Sequence, residues 1–309
     1  MLVPSRTDLA EARSIPFPDR TCTRSLAGDM TAASPNHFAS LNARFPRRRA
    51  FITGAGAGLG LALAKALAAD GWVLGLFDRN VERLASVEAA FAAADIPTLA
   101  YPGDVTQADE LTVAVNSFAA THDGLDLMIN NAGVAVAGSM MEAAPDDWRW
   151  IIDTNLMGVV HGCRAALPHL QRNGAGLIVN ISSAAAFASV PGMAPYNATK
   201  AAVLSLSETL AAELRDTGTD VCVVLPRHFE TTLLDTFRGP IETRETARAL
   251  MKASRLTASE MAQEILLRAG RGESYVMPGE THAWWRLKHW LANVFARRPP
   301  MMHHMLRRA

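Results

Sequence analysis

The sequence predicts an α/β fold in which helices cover both faces of a doubly wound, parallel sheet of seven strands. From residue 50 onward, short apolar segments alternate with longer helical segments in one uninterrupted series. Such an alternation is typical of a parallel sheet covered on both faces. The first apolar segment also leads directly into a glycine-rich turn. Because nothing like a linker breaks the series, we expect a single domain over residues 47–280.

Each predicted element follows from its own stretch of this pattern. Short apolar runs predict strands over 50–53, 72–77, 97–101, 125–130, 176–182, 220–225 and 274–277. The intervening segments predict helices over 58–70, 80–94, 107–121, 155–172, 195–216 and 259–269. A region rich in Phe, Leu and Thr, 226–258, follows the sixth strand.

The two ends of the chain differ from this domain. Residues 1–46 are rich in Ser, Thr, Pro and Arg, lack a sustained period and are expected to form a flexible leader. Residues 281–309 carry six basic residues and no acidic one, and on a helix Trp284, Trp290 and Phe295 would share one apolar stripe. This basic amphipathic tail suits peripheral contact with an anionic membrane surface through 284–298, or docking on its own core or on a sister subunit. Both interpretations stay open.

Composition excludes several classes of function. Of the 309 residues 49% are apolar, which allows a large core, but the longest apolar runs are too short to span a bilayer. Cys22, Cys163 and Cys222 are widely spaced and lack the CxxC or His-rich spacing of a metal site, as is typical of reduced thiols in a cytoplasmic protein without a metal. The basic tail leaves residues 1–280 with six more acidic than basic residues, so we expect no nucleic-acid partner for the domain.

The glycine-rich turn 53–60 is a candidate phosphate site. Gly54 directly follows the first strand, and Gly58, Leu59 and Gly60 open the first helix. Glycines permit a tight turn and let the backbone approach a pyrophosphate, while the helix N-terminus offers free N–H groups and a positive dipole end. Between a first strand and a first helix, such a turn indicates a dinucleotide site rather than an empty loop.

Two aspartates follow the next two strands. Asp78 ends the second strand, where a carboxylate can bind an adenosine ribose and repel a 2′-phosphate, which favours NAD. Arg79 comes next and could attract that phosphate, so NADP stays open as the alternative. Asp104 follows the third strand and either contacts the adenine or caps a turn before Thr106.

Four polar residues form a candidate catalytic set. Tyr196 and Lys200 are four residues apart on a predicted helix and therefore share one face. A nearby ammonium group, or an oxidised nicotinamide, lowers the pKa of a phenol, and such a tyrosine can exchange a proton with an alcohol or a ketone. Ser183 follows an apolar strand and can hold the substrate oxygen. Asn155, at the start of a long helix, is expected to anchor a water that links Lys200 to solvent.

These motifs together resemble the short-chain dehydrogenase/reductase family over residues 48–280. The resemblance rests on TGAGAGLG (53–60), Asp104-Val105, NNAG (130–133), Asn155 in DTNLMG, ISS with Ser183, and YNATK (196–200). It implies a Rossmann-type sheet, a nicotinamide cofactor and a catalytic set of Ser183, Tyr196 and Lys200 supported by Asn155. In that pattern Tyr196 is the general acid/base, and Lys200 also contacts the nicotinamide ribose.

The same resemblance implies further contacts and an assembly. The cofactor would be lined by Leu59, Val105, Thr231 and the backbone from Asn131 to Gly133. Members of the family often form homodimers or homotetramers through two long helices, here 155–172 and 195–216. One position departs from the pattern, because Arg227 stands where the family has glycine after Pro226. Its side chain either points to solvent or changes the contacts to cofactor or substrate.

The segments expected to line the substrate pocket, 134–137, 184–193 and 229–237, are mostly apolar. They suit a hydrophobic ketone or secondary alcohol, which makes a nicotinamide-dependent oxidoreductase the leading hypothesis. Arg227 or His228 could recognise an acid group, although exposed loop charges are commoner. The alternatives are a non-catalytic dinucleotide-binding sensor or scaffold, and a membrane-surface adaptor that acts through its tail.

Overall fold

The computed structural model describes residues 37–254 and 256–278. Within them, seven parallel strands form one sheet in the order β3-β2-β1-β4-β5-β6-β7. The strands are β1 (Arg49–Thr53), β2 (Val73–Asp78), β3 (Thr98–Pro102), β4 (Leu127–Asn130), β5 (Gly176–Ile181), β6 (Thr219–Val224) and β7 (Tyr275–Val276). The predicted fold class is therefore confirmed, and each predicted strand lies within two residues of the observed one.

Helices cover this sheet and also shape its edge at the carboxyl ends of the strands. They are α1 (Ala39–Arg44), α2 (Gly58–Ala69), α3 (Val81–Ala92), α4 (Ala108–Thr121), α5 (Pro145–Ile152), α6 (Gly158–Arg172), α7 (Ala185–Ala188), α8 (Ala194–Glu213), α9 (Ile241–Lys252) and α10 (Ala258–Gly270). A π-helical turn, Asp153–Met157, joins α5 to α6, and a 3-10 turn, Thr232–Thr236, precedes α9.

The core has two halves, one on each face of the sheet. Successive residues of β1 show this arrangement, because Ile52 belongs to the half that includes α1, α2, α3 and α10, whereas Phe51 belongs to the half that includes α4, α6 and α8. All five residues of β1 are buried. Side chains alternate between the faces of a strand, so an apolar run such as β1 fits a sheet covered on both sides.

The strand order reverses direction beside β1, which pairs with β2 on one side and β4 on the other. In open α/β sheets, ligands bind at the carboxyl ends of the strands at such a switch point. Thr53 and Asn130 end the two strands concerned, so the glycine-rich loop and the Asn130–Gly133 segment meet at this edge.

The domain begins before the predicted boundary at residue 46, and this part of the leader assignment needs correction. Phe38, Leu41 and Phe45, in or beside α1, are buried in the core. Asp70 accepts hydrogen bonds from the backbone N–H groups of His37 (2.9 Å) and Phe38 (3.0 Å). A helix of six residues is too short for its period to stand out in the sequence.

Three further helices, α5, α7 and α9, were not predicted. The long helix begins at Pro145 rather than at residue 155, because the π-helical turn continues it from α5 into α6. The segment 226–258 contains α9, on which no residue is buried.

Several predictions fall outside the described residues. These are the behaviour of residues 1–36, the tail 281–309 with its contact region 284–298, and Cys22. In the part of the chain that the structure describes, no helix has the length and apolar character needed to cross a membrane.

Candidate active site

A cavity of about 580 Å³ lies at the carboxyl edge of the sheet. It brings together most of the predicted site residues, namely Gly54, Gly58, Leu59, Asp78, Asp104, Val105, Asn131, Gly133, Ser183, Tyr196, Lys200 and Thr231. Gly60 and Asn155 are not among the lining residues. One continuous cavity thus joins the candidate nucleotide site to the candidate catalytic set.

Glycines shape the loop between β1 and α2. Gly54 and Gly58 have φ of +66° and +54°, in the left-handed region that favours glycine. A Cβ on Gly60 would overlap the carbonyl oxygen of Gly54. Gly60 therefore acts from behind the cavity, by letting α2 pack directly on the loop.

The first turn of α2 is open toward an anion. Its N-cap residue, Ala57, has no side chain that can accept the first N–H groups. Ala57, Gly58 and Leu59 line the cavity. The unpaired N–H groups and the positive end of the helix dipole suit a phosphate.

Asn131 ties the end of β4 to this loop. Its Nδ2 donates to the carbonyl oxygens of Thr53 (3.0 Å) and Gly54 (3.1 Å). The Thr53 hydroxyl in turn accepts from the backbone N–H groups of Asn131 (3.0 Å) and Ala132 (3.1 Å). Asn131 thus sets the shape of the glycine loop as well as lining the cavity.

The carboxylate of Asp78 is part of the same loop. Its two oxygens accept from the backbone N–H groups of Gly56 (2.8 Å) and Asn80 (2.9 Å). Arg79 is exposed and also lines the cavity. An acid and a base therefore stand side by side at the position that the sequence predicts to bind an adenosine ribose.

Asp104 combines the two roles that the sequence left open. It lines the cavity, and its Oδ1 accepts from the backbone N–H of Thr106 (2.9 Å), as in a capped turn. Val105, the next residue, is buried against Gly158 at the start of α6.

The Tyr196 hydroxyl lies in a nearly closed environment. Burial raises the pKa of Tyr196, and a hydrogen bond with the Ser183 side chain acts in the opposite direction. The Ser183 hydroxyl also accepts from the backbone N–H of Ala185 (3.1 Å). That contact fixes the serine at the point where β5 leads into α7.

Lys200 is a buried cation behind the tyrosine. Its Nζ lies 5.7 Å from the centre of the Tyr196 ring and donates to the carbonyl oxygen of Ile181 (3.0 Å). The side chain is almost inaccessible, and burial lowers the pKa of Lys200 to about 8. Ser182 holds α8 in position, because its hydroxyl donates a hydrogen bond to the Lys200 carbonyl oxygen (2.7 Å).

The role of Lys200 in lowering the pKa of Tyr196 stays a prediction, and burial acts against it in the protein alone. Burial is the largest influence on the phenol and moves its pKa upward. The Lys200 ammonium is engaged with a backbone carbonyl rather than with the phenol oxygen. The sequence could not reveal this, because burial is a property of the folded environment.

Asn155 lies in the π-helical turn and is fully buried. Its Oδ1 accepts from the Val134 N–H (2.8 Å) and its Nδ2 donates to the Val134 carbonyl (3.0 Å). The amide thereby fixes the chain just after β4, next to Gly133. These contacts support a positioning role, and the water-anchoring role stays a prediction.

Sequence reasoning missed the face of α9 that closes the cavity. Thr243, Thr246, Ala247, Leu250 and Met251 all line it. The last four of these residues follow Thr243 by three, four, seven and eight positions. This spacing is typical of one face of a helix and would have identified the lining face of α9 from the sequence.

Other reactive groups do not enter the site. In the described ranges, no group of three or more His, Cys, Asp or Glu residues could hold a metal ion. Cys163 and Cys222 are buried, and burial raises the pKa of each thiol to about 12. Neither thiol is therefore a nucleophile at neutral pH.

An open parallel sheet, with a glycine-rich loop and a helix N-terminus at its switch point, is the architecture of dinucleotide-binding α/β enzymes. Comparison with known proteins narrows that class. The profile of the short chain dehydrogenase family matches residues 48–240. An uncharacterized oxidoreductase of Staphylococcus aureus (strain MRSA252) is 31% identical over 208 residues, 66% of this chain and 89% of that protein.

Solved structures agree with this relationship. A short-chain dehydrogenase/reductase from Burkholderia phymatum, in complex with NAD, gives a TM-score of 0.75 at 28% identity and covers 82% of this chain and 96% of that chain. A short-chain dehydrogenase from Sphingobium yanoikuyae, in complex with NADPH, gives 0.69 at 27% identity, with 82% and 97% covered. The chain belongs to the short-chain dehydrogenase/reductase family and is an NAD(P)-dependent oxidoreductase.

Proposed function

We propose that the protein interconverts an apolar secondary alcohol and its ketone, with NAD as the hydride carrier. The observation that carries the proposal is the convergence of Ser183, Tyr196 and Lys200 on the cavity that also contains the glycine loop. A proton-transfer group beside a dinucleotide site is what hydride exchange at a carbon–oxygen bond requires.

The glycine loop fits the pyrophosphate of a nicotinamide dinucleotide, because no Cβ blocks the approach to its backbone at Gly54 or Gly58. We assign to the cofactor Gly54, Gly58, Leu59, Gly60, Asp78, Asp104, Val105, Asn131, Gly133, Tyr196, Lys200 and Thr231. Gly60 acts through helix packing, as its position behind the cavity requires. The charge of Asp78 favours NAD, and NADP is the alternative that Arg79 would support.

The chain's own residues divide the reaction among them. When bound, the oxidised nicotinamide supplies a hydride acceptor and a positive charge. Tyr196 takes the proton of the alcohol in oxidation and returns it to the carbonyl oxygen in reduction. The Ser183 hydroxyl holds the same oxygen and stabilises the charge that develops there.

Lys200 and Asn155 support this exchange. Lys200 holds a cation behind the phenol and would contact the nicotinamide ribose. Asn155 keeps Val134 and the neighbouring Gly133 in place through its amide. Because the protein surroundings raise the pKa of Tyr196, its phenol is protonated at neutral pH and ready to donate to a ketone.

An apolar wall beside Tyr196 supports the substrate class. Val134 and Ala135, which line the cavity, pack with the Tyr196 ring, and Val136 and Ile151 belong to the same cluster without lining the cavity. Leu233 and Phe237 add to it from the 3-10 turn region. An apolar pocket with two hydroxyl groups suits a hydrophobic ketone or secondary alcohol.

Cofactor binding is the first test. Purified protein is titrated with NADH and with NADPH while nicotinamide fluorescence is followed. Tighter binding of NADH supports Asp78 as the discriminating residue, and tighter binding of NADPH overturns the NAD assignment. Turnover of apolar secondary alcohols with NAD, lost in Tyr196→Phe, then supports the reaction.

The alternative of a non-catalytic sensor or scaffold gives a different result. It requires cofactor binding without turnover of any apolar alcohol or ketone in either direction. In that case Tyr196→Phe would match the wild type in every assay.

A further inference from the structure

Two basic residues lie among those that line the cavity. Arg227 and His228 follow directly after β6 and line the cavity together with Ser183 and Tyr196. Both are exposed. They are therefore accessible to a molecule that enters this part of the cavity.

Backbone contacts set the position of Arg227 relative to the candidate catalytic serine. The pairing of β5 with β6 continues past the strand ends, because Ser182 N–H donates to Val224 O (2.8 Å) and Ala184 N–H donates to Pro226 O (2.9 Å). Ser183 lies between the two donors, and Arg227 is the residue after the second acceptor. The backbone of Arg227 thus lies beside the loop that carries Ser183, and its side chain lines the same cavity.

The charge of Arg227 is available for a ligand. Among the described residues, Arg227 forms no hydrogen bond and no ion pair. The cavity carboxylates lie elsewhere or are paired, since Asp78 and Asp104 belong to the nucleotide half and Asp235 pairs with Arg83 (2.9 Å). Glu230, close by in sequence, does not line the cavity. A guanidinium in this setting favours an anion such as a carboxylate, which it can bind through two N–H groups.

His228 adds a donor rather than a second charge. Burial and the positive charge of Arg227 both lower its pKa. At neutral pH His228 is therefore uncharged, with one ring nitrogen able to donate a hydrogen bond.

We propose that Arg227, assisted by His228, binds an acidic group on the substrate, so that the natural substrate is an apolar alcohol or ketone that carries a carboxylate or comparable anion. This inference rests on the proposed function of the Ser183–Tyr196 site and adds a specificity-determining residue to it. The apolar wall holds the body of the substrate, and Arg227 holds its charged end.

The test compares an acid with its own neutral ester. The probes are a medium-chain oxo fatty acid, with a methyl ketone at one end and the carboxylate at the other, and its methyl ester. With NADH or NADPH in excess, kcat/KM is measured for both in the wild type, in Arg227→Gln and in Arg227→Lys. We expect the wild type to prefer the acid by about tenfold or more, through KM, and Arg227→Gln to lose most of that preference.

Matched variants separate a local contact from overall charge. Arg227→Lys keeps the charge and should retain part of the preference. Arg164→Gln makes the same charge change at an exposed position on α6 outside the cavity and should leave the acid-to-ester ratio unchanged. An equal change in Arg164→Gln would overturn the inference.

Binding gives an answer that does not depend on turnover. Octanoate and octanol are titrated by calorimetry into the protein saturated with NADH. Tighter binding of octanoate, lost in Arg227→Gln, supports the inference even if the oxo acid is not reduced, in which case only the proposed reaction fails. Equal binding of octanoate and octanol overturns the inference. A weaker NADH affinity in Arg227→Gln with an unchanged acid-to-ester ratio also overturns the inference, because Arg227 would then serve the cofactor phosphates.

Discussion

The hydroxyl of Tyr196 is the atom on which the proposed chemistry depends. Replacing Tyr196 with Phe removes this hydroxyl and keeps the ring that packs beside Val134. We expect turnover to fall by about 10²–10⁴-fold, the usual contribution of a general acid/base, with NADH affinity changed by less than about twofold. Steady-state kinetics and a fluorescence titration on the same preparation check both parts. Turnover near the wild-type level would remove Tyr196 from the mechanism.

Burial of the Lys200 ammonium lowers the stability of the folded protein. Burial lowers its pKa to about 8, so between about pH 8 and its unfolded value of 10.5 the unfolded chain binds a proton that the folded chain has lost. Stability linked to Lys200 therefore rises with pH across that window, and below it the full cost of a buried charge applies.

Replacing Lys200 with Met should relieve this cost while abolishing activity. We expect the variant to be more stable than the wild type at pH 7, by about 1–3 kcal/mol, with the advantage shrinking as the pH rises from 8 to 10.5. Urea unfolding at several pH values measures the difference. A variant that is less stable at pH 7 would show that the bond from Lys200 to Ile181 outweighs the burial cost.

Asp78 is expected to affect both the choice between NAD and NADP and the shape of the glycine-rich loop. Asp78→Asn removes the charge that opposes a 2′-phosphate and keeps an oxygen for the Gly56 N–H. We expect the ratio of NADPH to NADH affinity to rise by about tenfold or more, because Arg79 is left without a competing acid. Glu82→Gln, an exposed change of the same charge on α3, serves as the control. An unchanged ratio in Asp78→Asn would mean that another group reads the ribose.

Among the elements, the short helix α1 shows how much of the domain lies ahead of the first strand. Leu41 is fully buried where α1 meets Gly270 at the end of α10. We expect Leu41→Ala to lower the free energy of unfolding by about 2–5 kcal/mol, and the exposed neighbour Ser40→Ala to change it by less than about 0.5 kcal/mol. Chemical denaturation provides the measurement. Equal effects of the two substitutions would mean that α1 belongs to the leader rather than to the folded domain.

The elements also show where sequence reasoning succeeds. Long segments with a clear period, such as α4 and α8, were predicted almost to their ends, because a buried face must repeat along a helix of several turns. By contrast, α1 is too short to show a period, and α9 buries no residue completely. In the site, local sequence motifs were enough to identify Ser183, Tyr196 and Lys200 as candidates. The direction of the Tyr196 pKa shift could not be predicted, because it depends on what the fold packs around the phenol.

At the scale of the whole molecule, one edge of the sheet carries the entire site. The loops after β1, β2, β3, β4, β5 and β6 all contribute residues to the cavity. A dinucleotide that touches so many loops binds only the folded chain, so it must stabilise the fold through mass action.

Thermal unfolding measures this linkage. At a free NADH concentration of about 100 times its Kd, we expect about 2.7 kcal/mol of added stability, which for a domain of this size raises Tm by roughly 5–10 °C. Tyr196→Phe should keep this increase, because it retains the glycine loop. A Tm that does not respond to saturating cofactor would contradict the assignment of the cavity.

The π-helical turn between α5 and α6 has a consequence for insertions and deletions. One added residue in a continuous helix rotates everything beyond it by about 100°. This offset lets Ile151 face the apolar wall beside Tyr196 while Val159 and Cys163 face the sheet core. Removing a single residue from Asp153–Met157 would restore a regular helix and turn one of these faces to solvent. A deletion of one residue between Pro145 and Arg172 is therefore expected to disrupt the packing of one of these two faces.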